Sequence, residues 1–298
     1  MLLNFILINK TLSYYKLFPL SKNNIGKIHF NMKKTNNINY NFNPKTINQE
    51  KYFKSLKDPI IKILFVIGPA GTGKTYLACN EAITLLKNGL INKIILTRPI
   101  VTVEEDLGFL PGNIIKKMDP WTKPIIDVFE EKYSKQDIDK LIQNNIIEIS
   151  PLAYMRGRTF KNCYIIADEM QNSSPNQMLM LTTRLGENSK MIITGDLKQT
   201  DKPTISGLSD FLFRFNYYRD NHYPNENNNF LIKNDTGISI VELDNSDIQR
   251  SKVVGKILNI YDNKIIYNNV KVNNSISNNI RHYSHNSDAA LIPKYLDS

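Results

Sequence analysis

Six short apolar runs, separated by stretches long enough for helices, dominate the middle of the chain. Polar residues do not alternate with apolar ones inside the runs, as expected for strands covered on both faces. The runs are KILFVI (62–67), KIILT (93–97), IIEIS (146–150), CYIIAD (163–168), KMIITG (190–195) and ISIVEL (238–243). Amphipathic helical patterns lie between them. This alternation predicts an α/β fold with a mainly parallel sheet, which binds ligands at the carboxyl ends of its strands.

The pattern is absent at both ends of the chain. No acidic residue precedes Glu50 in the Lys- and Asn-rich start, and the last residues are rich in Asn without periodicity. The opening MLLNFILI is shorter than the roughly 20 apolar residues of a membrane span, so we expect no membrane partner. A further Asn-rich patch, 216–235, is expected to be a surface insertion. The predicted organisation is a basic leader (1–47), one domain (48–262) and an Asn-rich tail (263–298).

The leader has three open interpretations. It is a disordered arm, an organelle transit peptide, or a segment that is not translated because synthesis starts at Met32. The two cysteines, Cys79 and Cys163, lie far apart in apolar surroundings, which favours neither a disulfide framework nor a zinc cluster. A reducing compartment such as the cytoplasm is therefore expected. The formal charge of +10 is compatible with a nucleic acid partner, although solubility alone would also explain it.

The segment GPAGTGKT, residues 68–75, fits the phosphate-loop pattern G-x-x-x-x-G-K-[ST]. A strand pattern precedes it and a helix pattern follows it, as the motif requires. We expect the backbone amides that follow Gly68 and Gly73 to surround a phosphate chain, Lys74 to reach its terminal oxygens, and Thr75 to ligate Mg²⁺.

Two further strands end in polar residues at the same predicted edge. Asp168 and Glu169 follow CYIIA, so Asp168 is expected to hold Mg²⁺ and Glu169 to orient or deprotonate a water molecule. Asp196 and Gln199 follow KMIITG, and Gln199 is expected to sense the γ-phosphate or the attacking water. The pair of acids indicates hydrolysis.

Four arginines occupy positions suited to phosphate chemistry. Arg250 is the first candidate for a guanidinium that stabilises the developing γ-phosphate charge, in its own or a neighbouring subunit. Arg156 and Arg158, close to Tyr154, suit either that role or contact with nucleic acid phosphates beside a stacked base. Arg98, which follows the second strand, is a third nucleic acid candidate.

Several segments together resemble one family. GPAGTGKTYLA, LTRP, LGFLPG, DPW, ISPLAYMRGRTF, IADEMQN and ITGDLKQTD, in this order, are similar to the PhoH-like ATPases, relatives of the superfamily 1 helicase core. The resemblance covers about 48–262 and implies a three-layer αβα, RecA-like P-loop NTPase that binds and hydrolyses ATP with Mg²⁺. It also implies a connection with RNA metabolism and phosphate stress, and a ring of subunits. By the same resemblance Gln49 contacts adenine, and the nucleotide-binding set includes Pro69, Ala70, Gly71, Thr72, Tyr76 and Asp196.

The chain departs from many members of that family at its ends, because only a basic arm precedes the ATPase region. Nuclease activity is therefore not expected, and unwinding would depend on assembly between subunits. Three functions stay open on the sequence: an RNA- or single-strand-stimulated ATPase, a small-molecule phosphotransferase, and a nucleotide-switched binding module with negligible turnover.

Overall fold

The computed structural model of the chain describes residues 44–99, 114–199, 205–223 and 228–249, together with positions 253, 256 and 257. The described strands are β1 (Ile63–Ile67), β2 (Lys93–Thr97), β3 (Ile147–Ile149), β4 (Cys163–Ala167), β5 (Lys190–Gly195) and β6 (Ile238–Glu242). The described helices are α1 (Ile47–Lys57), α2 (Lys74–Lys87), α3 (Ile114–Glu130), α4 (Lys135–Gln143), α5 (Pro175–Thr182), α6 (Gly207–His222) and α7 (Asn228–Thr236). These elements belong to one compact unit, Met1–Arg250.

The strands form one six-stranded sheet in the order β3-β2-β4-β5-β1-β6, and every neighbouring pair is parallel. Strand β5 therefore separates β1, which leads into the phosphate loop, from β4, which leads into the two acids. The register pairs Ile67 with Gly195 and Ala167 with Ile193. Because these strands end at nearly the same level, the polar residues that follow them meet at one edge.

Side chains alternate between the two faces of the sheet and fill two separate cores. On β1, Leu64 and Val66 belong to the core beneath α1 to α4, whereas Phe65 belongs to the core on the other face. Leu208 of α6 and Leu181 of α5 complete that second core. The arrangement is an α/β fold of three layers, αβα, with the sheet in the middle. Burial on both faces explains why the strands are continuously apolar in the sequence.

The predicted strands are confirmed to within one or two residues at each end. The Asn-rich stretch 216–235 differs from its expectation as a surface insertion, because 216–222 complete α6 and 228–235 form most of α7. Ile232 of α7 is buried, so packing offsets the low helix propensity of the asparagines. No described helix has both the length and the apolar content needed to cross a bilayer. The predicted boundary at 262 lies outside the described residues.

Two buried tyrosines differ in how their hydroxyls are satisfied. The Tyr52 hydroxyl of α1 donates a hydrogen bond to the Lys74 carbonyl oxygen at 2.7 Å. The Tyr164 hydroxyl of β4 is also buried but has no hydrogen-bond partner in the described part of the chain. A buried polar group without a partner loses its hydration without compensation. The hydroxyl of Tyr52 therefore stabilises the folded chain, whereas the hydroxyl of Tyr164 destabilises it.

Removing the hydroxyls separates these contributions. We expect Tyr52→Phe to lower the free energy of unfolding by about 1 kcal/mol, because it breaks a made hydrogen bond. Tyr164→Phe is expected to leave stability unchanged or to raise it, since it removes an unsatisfied group. Urea unfolding of the two variants beside the wild type measures both changes. A larger loss for Tyr164→Phe than for Tyr52→Phe would contradict this assignment.

Lys190 holds the carboxyl end of α1 against the start of β5. Its ammonium group donates hydrogen bonds to the carbonyl oxygens of Ser55 at 2.9 Å, Leu56 at 2.6 Å and Asp58 at 2.9 Å. Burial lowers the pKa of Lys190 to about 7, while the negative charges of Glu81 and Asp58 act in the opposite direction. The ammonium group thus binds the carbonyl oxygens of the last turn of the helix, but these contacts do not fully offset the cost of its desolvation, which is why its pKa is lowered.

This lowered pKa predicts a pH dependence of stability. Above about pH 7 the folded chain loses a proton from Lys190 that the unfolded chain keeps up to its ordinary range near pH 10, so the unfolded state binds more protons. The free energy of unfolding should therefore rise between pH 7 and 9, by at most about 1.4 kcal/mol per pH unit. Lys190→Met should remove this slope, whereas the exposed control Lys140→Met should keep it. Equal slopes in urea unfolding of both variants would disprove the shift.

Candidate active site

The phosphate loop needs glycine at two positions for different reasons. A Cβ atom on Gly68 would lie 2.5 Å from the Leu243 carbonyl oxygen, so the backbone of the loop passes too close to the end of β6 for any side chain. Gly73 has a φ of +86°, in the left-handed region that favours glycine. It directly precedes α2, and the loop therefore turns sharply into the helix.

The amino terminus of α2 differs from those of its neighbours. Helices α1, α4 and α5 have Thr46, Ser134 and Ser174 as cap residues, whose side chains accept a hydrogen bond from a first-turn amide. The cap residue of α2 is Gly73, which offers no such acceptor. A helix amino terminus without a side-chain cap, directly after a glycine-rich loop, is the arrangement used to bind phosphate.

Lys74 lies over the loop that precedes it. Its ammonium group donates hydrogen bonds to the carbonyl oxygens of Gly68 at 2.6 Å and Pro69 at 2.8 Å. The Thr72 hydroxyl also donates to the Pro69 carbonyl oxygen, at 2.9 Å. These contacts place the predicted cation at the loop and hold the loop in its curved form.

Helix α1 clamps the loop from one side through Gln49, which is 1% exposed. The Gln49 amide nitrogen donates to the carbonyl oxygens of Thr72 and Asp247, each at 3.2 Å, and its oxygen accepts from the Lys45 amide at 2.9 Å. All the hydrogen-bonding groups of the side-chain amide are thus engaged with backbone. The adenine contact inferred for Gln49 stays a prediction, and it would require one of these bonds to be exchanged.

Asp247, fully buried after β6, completes this clamp. Its carboxylate accepts hydrogen bonds from the Thr46 hydroxyl, from the Asn48 side chain at 3.1 Å and from the Asp244 amide at 2.7 Å. A buried carboxylate is stabilised by several donors of this kind. The start of α1, the phosphate loop and the segment after β6 are therefore one connected unit.

Asp168 lies where the loop and strand β4 meet. Its carboxylate is nearly buried and accepts hydrogen bonds from the Thr75 hydroxyl at 2.8 Å and from the Thr194 hydroxyl. The register explains the second contact, because Ala167 pairs with Ile193 and the next residues are therefore neighbours. The structure thus brings together the two residues predicted to bind metal, Thr75 and Asp168.

The donor set fits Mg²⁺. Among the described residues Asp168 makes no ion pair, so a buried carboxylate and a hydroxyl face each other without a cationic partner. Magnesium binds to hard oxygen ligands and often uses only one or two carboxylates, with phosphate oxygens and water completing its shell. No group of three or more His, Cys, Asp or Glu side chains suited to a metal occurs in the described ranges, and such a site does not need one.

Glu169 has a backbone φ of +53°, which is uncommon for a residue with a side chain. Its carboxylate accepts a hydrogen bond from the Gln171 side-chain amide and lies 4.0 Å from the guanidinium of Arg98. Backbone strain of this kind persists only where surrounding contacts enforce it, and it is concentrated at functional sites. Arg98 thus lies beside the predicted base, and its contact with nucleic acid stays a prediction.

The turn after β5 lies against the same cluster. The Asp196 amide donates to the Gln171 side-chain oxygen at 3.1 Å, and the Asp196 carboxylate accepts from the Lys198 amide at 3.0 Å. The main-chain carbonyl of Gln199 accepts from the Gln171 side chain at 3.2 Å, while the Gln199 side chain is exposed.

Tyr76, on the first turn of α2, donates to Glu131 at 3.1 Å. Arg250 lies outside the described residues.

Comparison with known proteins agrees with this geometry. A family model described as "PhoH-like protein" matches residues 41–262. The chain belongs to the PhoH-like family. It is 46% identical over 220 residues to the PhoH-like protein of Bacillus subtilis, covering 73% of this chain and 63% of that protein. It is 39% identical over 218 residues to the PhoH-like protein of Synechocystis, covering 73% of this chain and 61% of that protein. It is 37% identical over 217 residues to Protein PhoH of Escherichia coli K12, covering 72% of this chain and 56% of that protein.

The matched region thus spans less than two thirds of the length of these PhoH-like relatives. Among solved structures, the Pif1 helicase of Candida albicans matches with a TM-score of 0.36 and 14% identity, covering 73% of this chain and 43% of that one. A similarity at this level carries no conclusion about function.

The two remaining arginines of this PhoH-like chain have different environments. The Arg158 guanidinium forms a two-pronged ion pair with Glu148, in which the second contact measures 3.0 Å, and it stacks 4.6 Å from the centre of the Phe160 ring. Its hydrogen bonds lower the pKa of Glu148. Arg156 is exposed and forms no ion pair with any described residue. Of the two, Arg156 is the one available to a phosphate.

Sequence reasoning missed Gln171 and Asp247. Gln171 stands in IADEMQN, where the two acids carry the predicted chemistry and the glutamine has no signal of its own. Asp247 stands in an ordinary polar turn, where a buried carboxylate has no local signature. Both act through contacts with residues distant in the chain.

The pair Arg158 and Arg156 offers a matched comparison. Arg158→Ala should lower the free energy of unfolding by about 1 kcal/mol or less, because the pair with Glu148 is partly exposed. Arg156→Ala should leave stability unchanged. Chemical denaturation of both variants measures the difference. Equal destabilisation would show that Arg158 contributes no more to stability than Arg156 does.

Proposed function

We propose that this chain is an Mg²⁺-dependent ATP-binding and ATP-hydrolysing protein that works on RNA or another single-stranded nucleic acid as a homo-oligomer. The observation that carries the proposal is the contact between Thr75 and Asp168 at 2.8 Å beside the phosphate loop. It joins the loop that would bind the triphosphate to the acids that would act on it.

Nucleotide binding follows from the loop. The amides at the start of α2 and the ammonium group of Lys74 would hold the β- and γ-phosphates. Thr75 and Asp168 would hold Mg²⁺, which when bound neutralises charge on the phosphate oxygens. The clamp made by Gln49, Tyr52 and Asp247 keeps the loop in the shape that binding needs, so little ordering remains to be done when ATP arrives.

Hydrolysis is assigned to Glu169. As a general base it would orient a water molecule towards the γ-phosphorus and accept its proton as the bond to the bridging oxygen breaks. Arg98, close to this carboxylate, would approach the charge that develops on the γ-phosphate. Gln199 and Arg250 keep their sequence-based roles, as sensor and arginine finger, within this proposal.

The nucleic acid part is supported by charge and exposure. The chain has a formal charge of +10, and Tyr154 is 55% exposed two residues before the exposed Arg156. An exposed ring for base stacking beside a guanidinium for phosphate is the usual combination at single-stranded sites. Arg156 is thus the leading nucleic acid contact of the three arginines first considered.

The oligomeric part is supported by the outer surface. Leu179 of α5 and Phe213 and Tyr217 of α6 are 64%, 74% and 67% exposed, on helices that pack against each other. Phe213 and Tyr217 are four residues apart and share one face of their helix, and exposed apolar patches often mark contacts between proteins. A ring would let a neighbouring subunit supply the arginine finger. The free cysteines Cys79 and Cys163 are buried, in keeping with the proposed reducing compartment.

Two substitutions test the nucleotide chemistry. Lys74→Ala should abolish measurable Mg²⁺-dependent ATP binding, because the loop loses its cation. Glu169→Gln should keep ATP affinity but lower phosphate release by about 10²-fold or more, because the general base is lost. Equilibrium binding of a fluorescent ATP analogue and a phosphate-release assay, each with and without single-stranded RNA over a range of salt, give the two readouts.

The exposed Glu187→Gln serves as the control and should match the wild type. Full turnover in Glu169→Gln would overturn the hydrolytic assignment. Negligible turnover in the wild type, with ATP-dependent RNA binding that survives Glu169→Gln, would favour the nucleotide-switched module. Absence of any stimulation by RNA at every salt concentration would remove the nucleic acid half of the proposal.

A further inference from the structure

Gln171 joins three parts of the site. It lies in the 3-10 turn Met170–Asn172 directly after the two acids and is 1% exposed. Its amide nitrogen donates hydrogen bonds to the Glu169 carboxylate and to the Gln199 carbonyl oxygen, and its amide oxygen accepts from the Asp196 amide. The end of β4 and the turn after β5 are therefore connected through one side chain.

Only an amide satisfies this arrangement. The side chain uses two N–H donors and one oxygen acceptor, which is the hydrogen-bonding inventory of glutamine. A carboxylate at this place would supply no donor for Glu169 or for the Gln199 carbonyl oxygen. A shorter asparagine side chain would have to bridge the same partners with one carbon fewer.

The surrounding packing leaves the side chain little freedom. A Cβ atom on Gly195 would lie 2.9 Å from the Gln171 amide oxygen and 2.4 Å from a methyl group of Leu208. Gly195 thus makes the space in which the amide lies. The rotamer of Gln171 is fixed by packing as well as by hydrogen bonds, as precise positioning of a reacting group requires.

We propose that Gln171 is a positioning residue for the reaction, fixing the Glu169 carboxylate and making its orientation depend on the turn formed by residues 196–199. This role rests on the proposed ATP hydrolysis. It adds a link between Glu169, the proposed base, and the turn that carries Gln199, the predicted sensor. Gln171 acts through Glu169 and needs no contact with ATP.

The physical reason lies in the competition for Glu169. The Gln171 amide binds one carboxylate oxygen, whereas the guanidinium of Arg98 lies 4.0 Å from the other. Without the amide, attraction to the cation would turn the carboxylate away from its present orientation. A displacement of about 1 Å in a reacting group can cost about 100-fold in rate.

The same bonds provide the coupling. The Gln199 carbonyl and the Asp196 amide, two backbone groups of the turn after β5, bind the amide that holds Glu169. Movement of this turn, for example when the Gln199 side chain meets a phosphate, would therefore shift the base. The link runs through direct hydrogen bonds and needs no change in the sheet.

The test uses two substitutions of Gln171 and one control, measured for kcat, KM, ATP affinity and the pH dependence of kcat. Gln171→Leu keeps the volume and removes all three hydrogen bonds. We expect kcat to fall about 10- to 100-fold while ATP affinity changes by less than about 3-fold, because the phosphate loop is untouched. Gln143→Leu, at the exposed end of α4, should behave as the wild type.

Gln171→Glu gives a readout that a merely structural role would not move. The introduced carboxylate would lie in hydrogen-bond contact with Glu169, and two adjacent carboxylates share one proton, which raises the pKa of the pair. The acid limb of the kcat profile should therefore move to higher pH by about one unit or more.

The outcomes separate this inference from the proposed function. No hydrolysis by the wild type would remove the proposed function itself. A wild-type rate in Gln171→Leu, or an unmoved pH profile in Gln171→Glu, would overturn only the role of Gln171. If Gln171→Leu does not fold, the profile of the near-isosteric Gln171→Glu decides, and failure of both to fold would make Gln171 a structural residue and overturn the inference.

Discussion

The register of the three central strands is the constraint on which the rest of the site depends. Strand β5 pairs with β1 at Ile67 and Gly195 and with β4 at Ala167 and Ile193, so all three strands end at nearly the same level. Only then can Thr75, on the helix after β1, reach Asp168 across the intervening strand. A slip of one residue would turn every side chain of that strand to the opposite face and separate the pair.

The two halves of the site are built in different ways. The binding half consists of a contiguous loop whose shape is set by Gly68, Gly73 and the start of α2, and α1 reinforces that shape through buried hydrogen bonds. The half proposed to hydrolyse ATP is assembled from the ends of separate strands, and Gln171 binds the Glu169 carboxylate there. Because the first half is local and the second is not, the proposed binding of ATP and its proposed hydrolysis would draw on different residues of the same edge.

This difference explains how far the sequence could predict the structure. The strands, the phosphate loop and the acids were predictable because apolar runs and short motifs are local signals. The contacts of Gln171 with the turn after β5, and the pairing of Arg158 with Glu148, join separate segments of the chain and have no sequence pattern of their own. Nothing in YMRGRTF distinguishes an arginine bound to a carboxylate from one free for phosphate. Residues 228–235 form most of a helix despite their polar composition, because Ile232 is buried against the rest of the fold.

The strained backbone of Glu169 fits this division. A left-handed residue with a side chain costs on the order of 1 kcal/mol, and its neighbours must supply that free energy. The 3-10 turn that starts at Met170 and the hydrogen bond from Gln171 provide such support, since both fix the chain directly after Glu169. An unstrained backbone would aim the carboxylate elsewhere. The orientation of the Glu169 carboxylate thus depends on its left-handed backbone and on the contacts that support it.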